Sequence, residues 1–160
     1  MYSHKRVLVA LDGSTACETV LRFLMEIAGP LQMTVLLTHV LEPMPASVIN
    51  GTVIIDDFEA RRREAEEYLA PISAALRSQG VDTAWAIRRG RPAEEILAAA
   101  RESGANLIAM ATHGRTGLRR LLFGSVAEEV LRHAPVPVFM IREPHPIVAA
   151  PAASRKEAVR

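Results

Sequence analysis

Short apolar runs alternate with segments of helical periodicity along most of this chain, and this alternation is what most constrains its fold. The patterns predict five strands, at residues 7–11, 33–41, 81–88, 107–111 and 136–141. They also predict four helices, at residues 15–28, 58–77, 92–103 and 125–133. Strands that alternate with helices form right-handed βαβ units, which give a mostly parallel sheet with helices on both faces. We therefore predict an open, Rossmann-like α/β domain.

The composition sets the size of this domain and excludes several classes of function. A chain of 160 residues has the length of one domain, which we predict to cover residues 1–143, with a disordered Pro- and Ala-rich tail at 144–160. A net charge of +1 and an aromatic content of 4% argue against a nucleic-acid surface. The first apolar run is too short for a signal peptide, and no run reaches the roughly 18 residues that cross a bilayer. The single cysteine, Cys17, fits a reducing compartment, so we expect the cytoplasm.

The connection after the fourth predicted strand has the composition of an anion-binding loop. Ligands of such sheets bind at the carboxyl ends of the strands, where the strand order reverses. Residues 111–117 read Ala-Thr-His-Gly-Arg-Thr-Gly, and Gly124-Ser125 precedes the next helix. Free N–H groups at a helix N-terminus attract phosphate, and glycine lets the main chain approach the phosphate oxygens.

A structural role explains the same residues equally well. The glycines can simply form turns, and Ser125 can simply cap its helix, because Ser125 and Glu128 have the spacing of a capping box. Thr15 and Glu18 have the same spacing and predict the same cap for the first helix.

Other chemistries leave no comparable pattern. The sequence has no Gly-Lys-Ser/Thr of a Walker A loop and no G-x-G-x-x-G after the first strand. No His/Asp/Glu cluster has metal-ligand spacing, and we predict neither a protein-held metal nor a catalytic residue. Cys17 and His39 are interpreted as packing residues. ATP pyrophosphatases and nucleotidylyltransferases of related architecture carry Ser-Gly-Gly-x-Asp-Ser or His-x-Gly-His after the first strand, where this chain has Asp-Gly-Ser-Thr at 12–15.

The stretch 111–125 resembles the Gly-x2-Gly-x9-Gly-Ser/Thr signature of the universal stress protein family, whose loop holds the phosphates and ribose of ATP. Gly114, nine intervening residues, Gly124 and Ser125 match this signature, whereas Ala111 stands in place of its first glycine. The resemblance extends over residues 5–142 and includes VLVALDGS at the start, HVLEP after the second strand and HAPVPVFMIR at the end.

The resemblance implies a sheet order of 3-2-1-4-5 and a nucleotide site between the first and fourth strands. Asp12 matches an aspartate that lies near the nucleotide in this family, although Asp-Gly-Ser is also a common turn composition. The residues implied in nucleotide binding are Ala10, Leu11, Asp12, Val40, Ala111, Thr112, His113, Gly114, Arg115, Gly124, Ser125 and Val126. Any magnesium is expected to arrive with the phosphates of ATP.

The resemblance also implies a function, an ATP-binding switch of the stress response rather than a fast enzyme. No base or lysine finger is placed for rapid hydrolysis, and slow hydrolysis stays open. A homodimer through the last strand, Val136 to Ile141, is implied as well, because an apolar edge needs cover; the chain's own tail or a helix is the other candidate. The alternative function is a dimeric interaction module that does not bind nucleotide, and the methyl group of Ala111 favours it.

Overall fold

The computed structural model of the protein describes residues 5–49, 52–54, 56–112 and 124–142. The predicted tail at 144–160 and three residues of the predicted site, His113, Gly114 and Arg115, lie outside these ranges. The strands are β1 (Arg6–Leu11), β2 (Thr34–Leu41), β3 (Ser47–Ile49), β4 (Thr52–Ile54), β5 (Thr83–Arg89), β6 (Leu107–Thr112) and β7 (Val138–Arg142). The helices are α1 (Thr15–Ala28), α2 (Phe58–Ser78), α3 (Pro92–Glu102) and α4 (Ser125–His133).

Five of the strands form one parallel sheet in the order β5-β2-β1-β6-β7. These are the five strands predicted from the sequence, so the predicted α/β fold and its order, 3-2-1-4-5, are confirmed. The central strand β1 is buried from its second residue to its last. Its apolar run is continuous because side chains of alternating direction meet a covered face on both sides of the sheet.

The two faces of the sheet have separate hydrophobic cores. Val20 of α1 and Leu69 of α2 belong to one core, which also contains Val9. Ile96 of α3 and Val130 of α4 belong to the other. Each helix therefore buries its apolar face against the sheet.

The segment between the second predicted strand and the second predicted helix, residues 42–57, contains an antiparallel hairpin. Strands β3 and β4 pair with Val48 opposite Val53. The two short strands contain β-branched residues and flank an Asn-Gly pair in the sequence, which is the preferred composition of two-residue hairpin turns. Pro43 and Pro45 are typical of a loop, and the sequence patterns predicted no strand in this segment.

Both predicted helix caps are displaced by one residue. The N-cap of α1 is Ser14 and that of α4 is Gly124, whereas Thr15 and Ser125 are the first helical residues. Ser14 and Gly124 have extended backbone angles, as an N-cap residue requires, so the capping-box interpretation of Thr15 and Ser125 was wrong. Ser125 is therefore not engaged as the N-cap of its helix.

We expect Gly90→Ala to lower the free energy of unfolding by about 1–3 kcal/mol, the range for a strained backbone conformation. Gly90 follows β5 with φ +154°, and a Cβ there would lie 2.8 Å from Cγ of Glu95. The Glu95 carboxylate cannot move away freely, because it lies 2.6 Å from Nε of Arg88. Denaturant unfolding measures the effect. Gly124→Ser is the control, since Gly124 has φ −69°, a Cβ there would meet no described atom within 4 Å, and serine is a favoured N-cap residue; equal losses in the two variants would contradict the prediction.

Candidate functional site

Three strands form the floor of a cavity with one small residue at its centre. Thr38 of β2 lies opposite Ala10 of β1, and Ala10 lies opposite Met110 of β6. Because side chains of one register row point to the same face, these three face α3 and α4 together. The alanine between two larger residues leaves a depression, and a cavity of about 270 Å³ opens there.

The walls of this cavity come from the helices and from the carboxyl ends of the strands. Pro92 and Ile96 of α3 and Val126 and Ala127 of α4 supply apolar surface. Val40, the next residue of β2 on this face, extends the apolar wall. The result is a narrow, mainly apolar cleft at the sheet edge where ligands of parallel α/β sheets bind.

One end of the cavity meets the N-terminus of α4. Gly124 and Ser125 are both exposed and both line the cavity. A Cβ placed on Gly124 would meet no atom of the described residues within 4 Å, so this part of the structure leaves open space in front of Gly124. The first N–H groups of a helix have no acceptor within the helix, and the macrodipole adds positive potential there. This end of the cavity therefore suits an anion.

Asp12 lies at the carboxyl end of β1 and is held by its own loop. Its Oδ1 accepts hydrogen bonds from the Ser14 amide at 2.9 Å and from the Cys17 thiol at 2.9 Å. The Asp12 amide in turn lies 3.4 Å from the Cys17 sulfur. The carboxylate is exposed at the cavity wall, so its orientation is set by protein contacts while it remains accessible from the cavity.

Cys17 is a core residue that also touches the cavity. It is 3% exposed and belongs to the core of the α1 and α2 face, as the sequence analysis expected. Burial, followed by the hydrogen bond to Asp12, raises the pKa of its thiol to about 11. The thiol is consequently protonated at neutral pH and is not an activated nucleophile.

The structure brings together every described residue of the predicted site. The cavity is lined by Ala10, Leu11, Asp12, Val40, Ala111, Thr112, Gly124, Ser125 and Val126. His39, which was interpreted as a packing residue, has Nδ1 2.8 Å from the Leu11 carbonyl oxygen and does not line the cavity.

Six further lining residues were missed by the sequence analysis, namely Cys17, Thr38, Pro92, Ile96, Met110 and Ala127. Met110 and Thr38 become neighbours of Ala10 only through the register of the sheet. Thr38 carried a signal nonetheless, because it is a polar residue inside an otherwise apolar strand.

The ranges that the structure describes hold no group of three or more His, Cys, Asp or Glu residues that could bind a metal ion. None of the helices described has the length and hydropathy of a membrane span.

The sequence matches the Universal stress protein family over residues 3–142, which is most of the chain. The protein belongs to the universal stress protein family. A universal stress protein of Methanocaldococcus jannaschii is 30% identical over 143 residues, which cover 88% of this chain and 84% of the relative.

Solved structures of the family have the same fold. A universal stress protein family member of Burkholderia pseudomallei superposes with a TM-score of 0.67 at 31% identity, covering 86% of this chain and 96% of the other. The universal stress protein of Archaeoglobus fulgidus in complex with dAMP gives a TM-score of 0.62 at 25% identity, covering 88% and 98%. Family and fold are thereby established, and some members of the family bind nucleotides.

Proposed function

We propose that this protein binds ATP in the cavity above Ala10 and acts as a nucleotide-dependent switch of the stress response. One observation carries the proposal: an apolar cleft of about 270 Å³ is continuous with the glycine-capped N-terminus of α4. An apolar compartment next to an anion-binding end is the arrangement that a nucleotide requires, because its base is flat and weakly polar and its phosphates are charged.

The lining residues divide according to the parts of ATP. The base packs over Ala10, between Val40 and Met110, in the apolar part of the cavity. The ribose lies near the Asp12 carboxylate, whose orientation Ser14 and Cys17 hold. The phosphates lie at the rim, against the main chain of Gly124 and Ser125. The signature residues His113, Gly114 and Arg115, which lie outside the described ranges, are proposed to bind the phosphates as well. The cavity volume is close to the lower end of the roughly 300–1,000 Å³ of ligand pockets, which suits a nucleoside with its phosphates outside.

Ala111, the departure from the family signature, is compatible with this arrangement. Ala111 lines the cavity, but its side chain packs against the core on the α1 and α2 face of the sheet. The cavity of about 270 Å³ is present with alanine at this position. The dAMP complex of the Archaeoglobus fulgidus relative supports an adenine nucleotide as the ligand.

The residues around the cavity favour binding and release over rapid turnover. Cys17 is protonated, and Asp12 is engaged with the loop that follows β1. We therefore propose a switch rather than a fast enzyme. The proposed switch is located in the cytoplasm and has no nucleic-acid or membrane partners. Magnesium, in this proposal, is held by the phosphates of ATP.

The test is whether protein purified without added nucleotide releases ATP on denaturation, as read by mass spectrometry. Titration with ATP and Mg²⁺ gives the magnitude, because ligand at 100 times its dissociation constant stabilises the folded state by about 2.7 kcal/mol. Phosphate release under multiple-turnover conditions is expected to be slow. Absence of retained nucleotide together with no thermal shift at millimolar ATP would exclude ATP binding.

The edge of the sheet at β7 supports a homodimer as the second element of the proposal. Within the described ranges β7 pairs only with β6, so its other edge carries no strand. Phe139 of β7 stacks on Phe23 of α1 with ring centroids 5.3 Å apart, and Phe23 is 45% exposed. An apolar strand edge beside an exposed aromatic ring fits pairing with the same edge of a second copy. The same surface would serve the alternative function, an interaction module without nucleotide.

We expect Phe23→Glu to weaken this dimer by at least tenfold, because a carboxylate would have to be buried in the interface. Analytical ultracentrifugation measures the dissociation constant. Leu31→Glu is the matched control, since Leu31 is 58% exposed and lies after the C-terminal end of α1, in the connection to β2. A monomeric wild type, or an equal loss in both variants, would remove the β7 edge from the proposal.

A further inference from the structure

Thr38 has a buried hydroxyl group that the fold does not use. The residue is 1% exposed, and its Oγ1 has no hydrogen-bond partner in the part of the chain that the structure describes. Most buried hydroxyls in native proteins have a partner, because leaving one unpaired costs free energy. An exception in the wall of a cavity indicates that the partner is a molecule in the cavity.

A comparison with other threonines shows what is unusual about Thr38. Thr83 is equally buried, but its Oγ1 donates to the Val81 carbonyl oxygen at 3.0 Å. Thr34, at the start of the same strand, also lacks a partner among the described residues, but it does not line the cavity. Thr112, at the end of β6, resembles Thr38 in all three respects: it is buried, lacks a described partner and lines the cavity.

The position of Thr38 assigns it to one end of the cavity. It lies three residues before the end of β2, in the register row of Ala10 and Met110. Asp12 and Gly124, which suit the ribose and phosphates, lie beyond the strand ends. A ligand with its charged groups at the rim therefore brings its opposite end, the base, to Thr38.

We infer that the Thr38 hydroxyl hydrogen-bonds to the polar edge of the bound base and is a specificity-determining residue of this site. The inference rests on the proposed ATP binding and adds a contact inside the apolar part of the cavity. A threonine hydroxyl both donates and accepts, so it can pair with a ring nitrogen or with an amino group of adenine. The row that forms the cavity floor consists of Thr38, Ala10 and Met110, and Thr38 is the polar residue among these three.

The test compares Thr38→Val with Thr34→Val by isothermal titration with ATP and with adenosine. Valine has the shape of threonine and removes only the hydroxyl, so Thr38→Val is expected to bind both ligands about tenfold more weakly. The loss should be equal for the two ligands, because they share the base. Thr38→Ser retains the hydroxyl and should stay close to wild type, and Thr34→Val should bind as wild type does.

The stability of the ligand-free variants provides an independent reading. Removing an unpartnered hydroxyl should leave the melting temperature of Thr38→Val unchanged or raised, whereas Thr83→Val should melt lower because it loses a made hydrogen bond. A drop for Thr38→Val as large as that for Thr83→Val, or failure to fold, would show that the fold itself uses the hydroxyl and would overturn the inference.

The outcomes separate the inference from the proposed function. If wild type binds ATP and Thr38→Val binds it equally well, the Thr38 contact is refuted and ATP binding stands. If wild type binds neither ATP nor adenosine, the proposed function fails and the inference fails with it.

Discussion

Replacing Gly124 by valine is expected to abolish the stabilisation of the protein by ATP. At a concentration 100 times the wild-type dissociation constant, this means the loss of about 2.7 kcal/mol of ligand-induced stability. The reason is steric, since a β-branched side chain would occupy the open space in front of the helix terminus where the phosphates are proposed to bind. The backbone N–H groups would then be shielded from the anion that they are proposed to hold.

The fold should survive this substitution. Gly124 has φ −69° and ψ 162°, an extended conformation that valine adopts readily, and a Cβ there would touch no atom of the ranges that the structure describes within 4 Å. The remaining cost is that of a poor N-cap residue, on the order of 1 kcal/mol. Binding and folding are therefore separable at this position.

Gly29→Val is the matched control for Gly124→Val. Gly29 follows α1 and does not line the cavity. A side chain there costs some stability, because Pro30 follows and the backbone is helical, but the nucleotide site is left unchanged. Differential scanning fluorimetry with and without ATP and Mg²⁺ should give a full shift for Gly29→Val and none for Gly124→Val. An undiminished shift in Gly124→Val would remove the terminus of α4 from the nucleotide site.

The second large effect is a loss of stability in alkaline solution that depends on Cys17. Burial, and then the hydrogen bond to Asp12, raise the pKa of the thiol from 9.0 to about 11. Between these pH values the unfolded chain releases the proton while the folded protein retains it. Because the folded state then binds more protons, its free energy of unfolding falls as the pH rises.

The expected loss of unfolding free energy follows from the rise in the pKa of Cys17. Each pKa unit corresponds to about 1.4 kcal/mol, so up to roughly 3 kcal/mol of unfolding free energy is lost between pH 9 and pH 11. Below pH 9 the full stabilising contribution of the protonated thiol is present. Cys17→Ala has no thiol to titrate, and its unfolding free energy should fall less steeply over the same range. The measurement is denaturant unfolding of both proteins at pH 8 to 11. If the unfolding free energies of the two proteins fell in parallel with pH, the thiol of the folded protein would have its ordinary pKa.

Much of the fold could be predicted because its signals are local. The five-residue apolar run of β1 and the helical spacing in α3 indicate their elements independently of the rest of the chain. The hairpin of β3 and β4 was equally local, at the Asn-Gly pair, but its strands are only three residues long and two nearby prolines favoured a loop. The caps of α1 and α4 were misplaced by one residue, because backbone angles and not residue types decide which residue is the N-cap.

The residues of the candidate site also fall into two groups, those that a local motif predicts and those that no motif predicts. Asp12, Gly124 and Ser125 were predicted because their motifs are contiguous in sequence and have a recognised spacing. Thr38 and Met110 were not, since neither stands in a motif.

The sequence by itself determined the order of strands and helices, the family and the motifs at the strand ends, because these depend on residue spacing along one stretch of chain. Only the tertiary structure decided which side chains meet. The register of three parallel strands places Thr38, Ala10 and Met110 in one row, and the packing of α3 and α4 above that row leaves the cavity. Register depends on pairing between distant segments, and no local pattern carries that information.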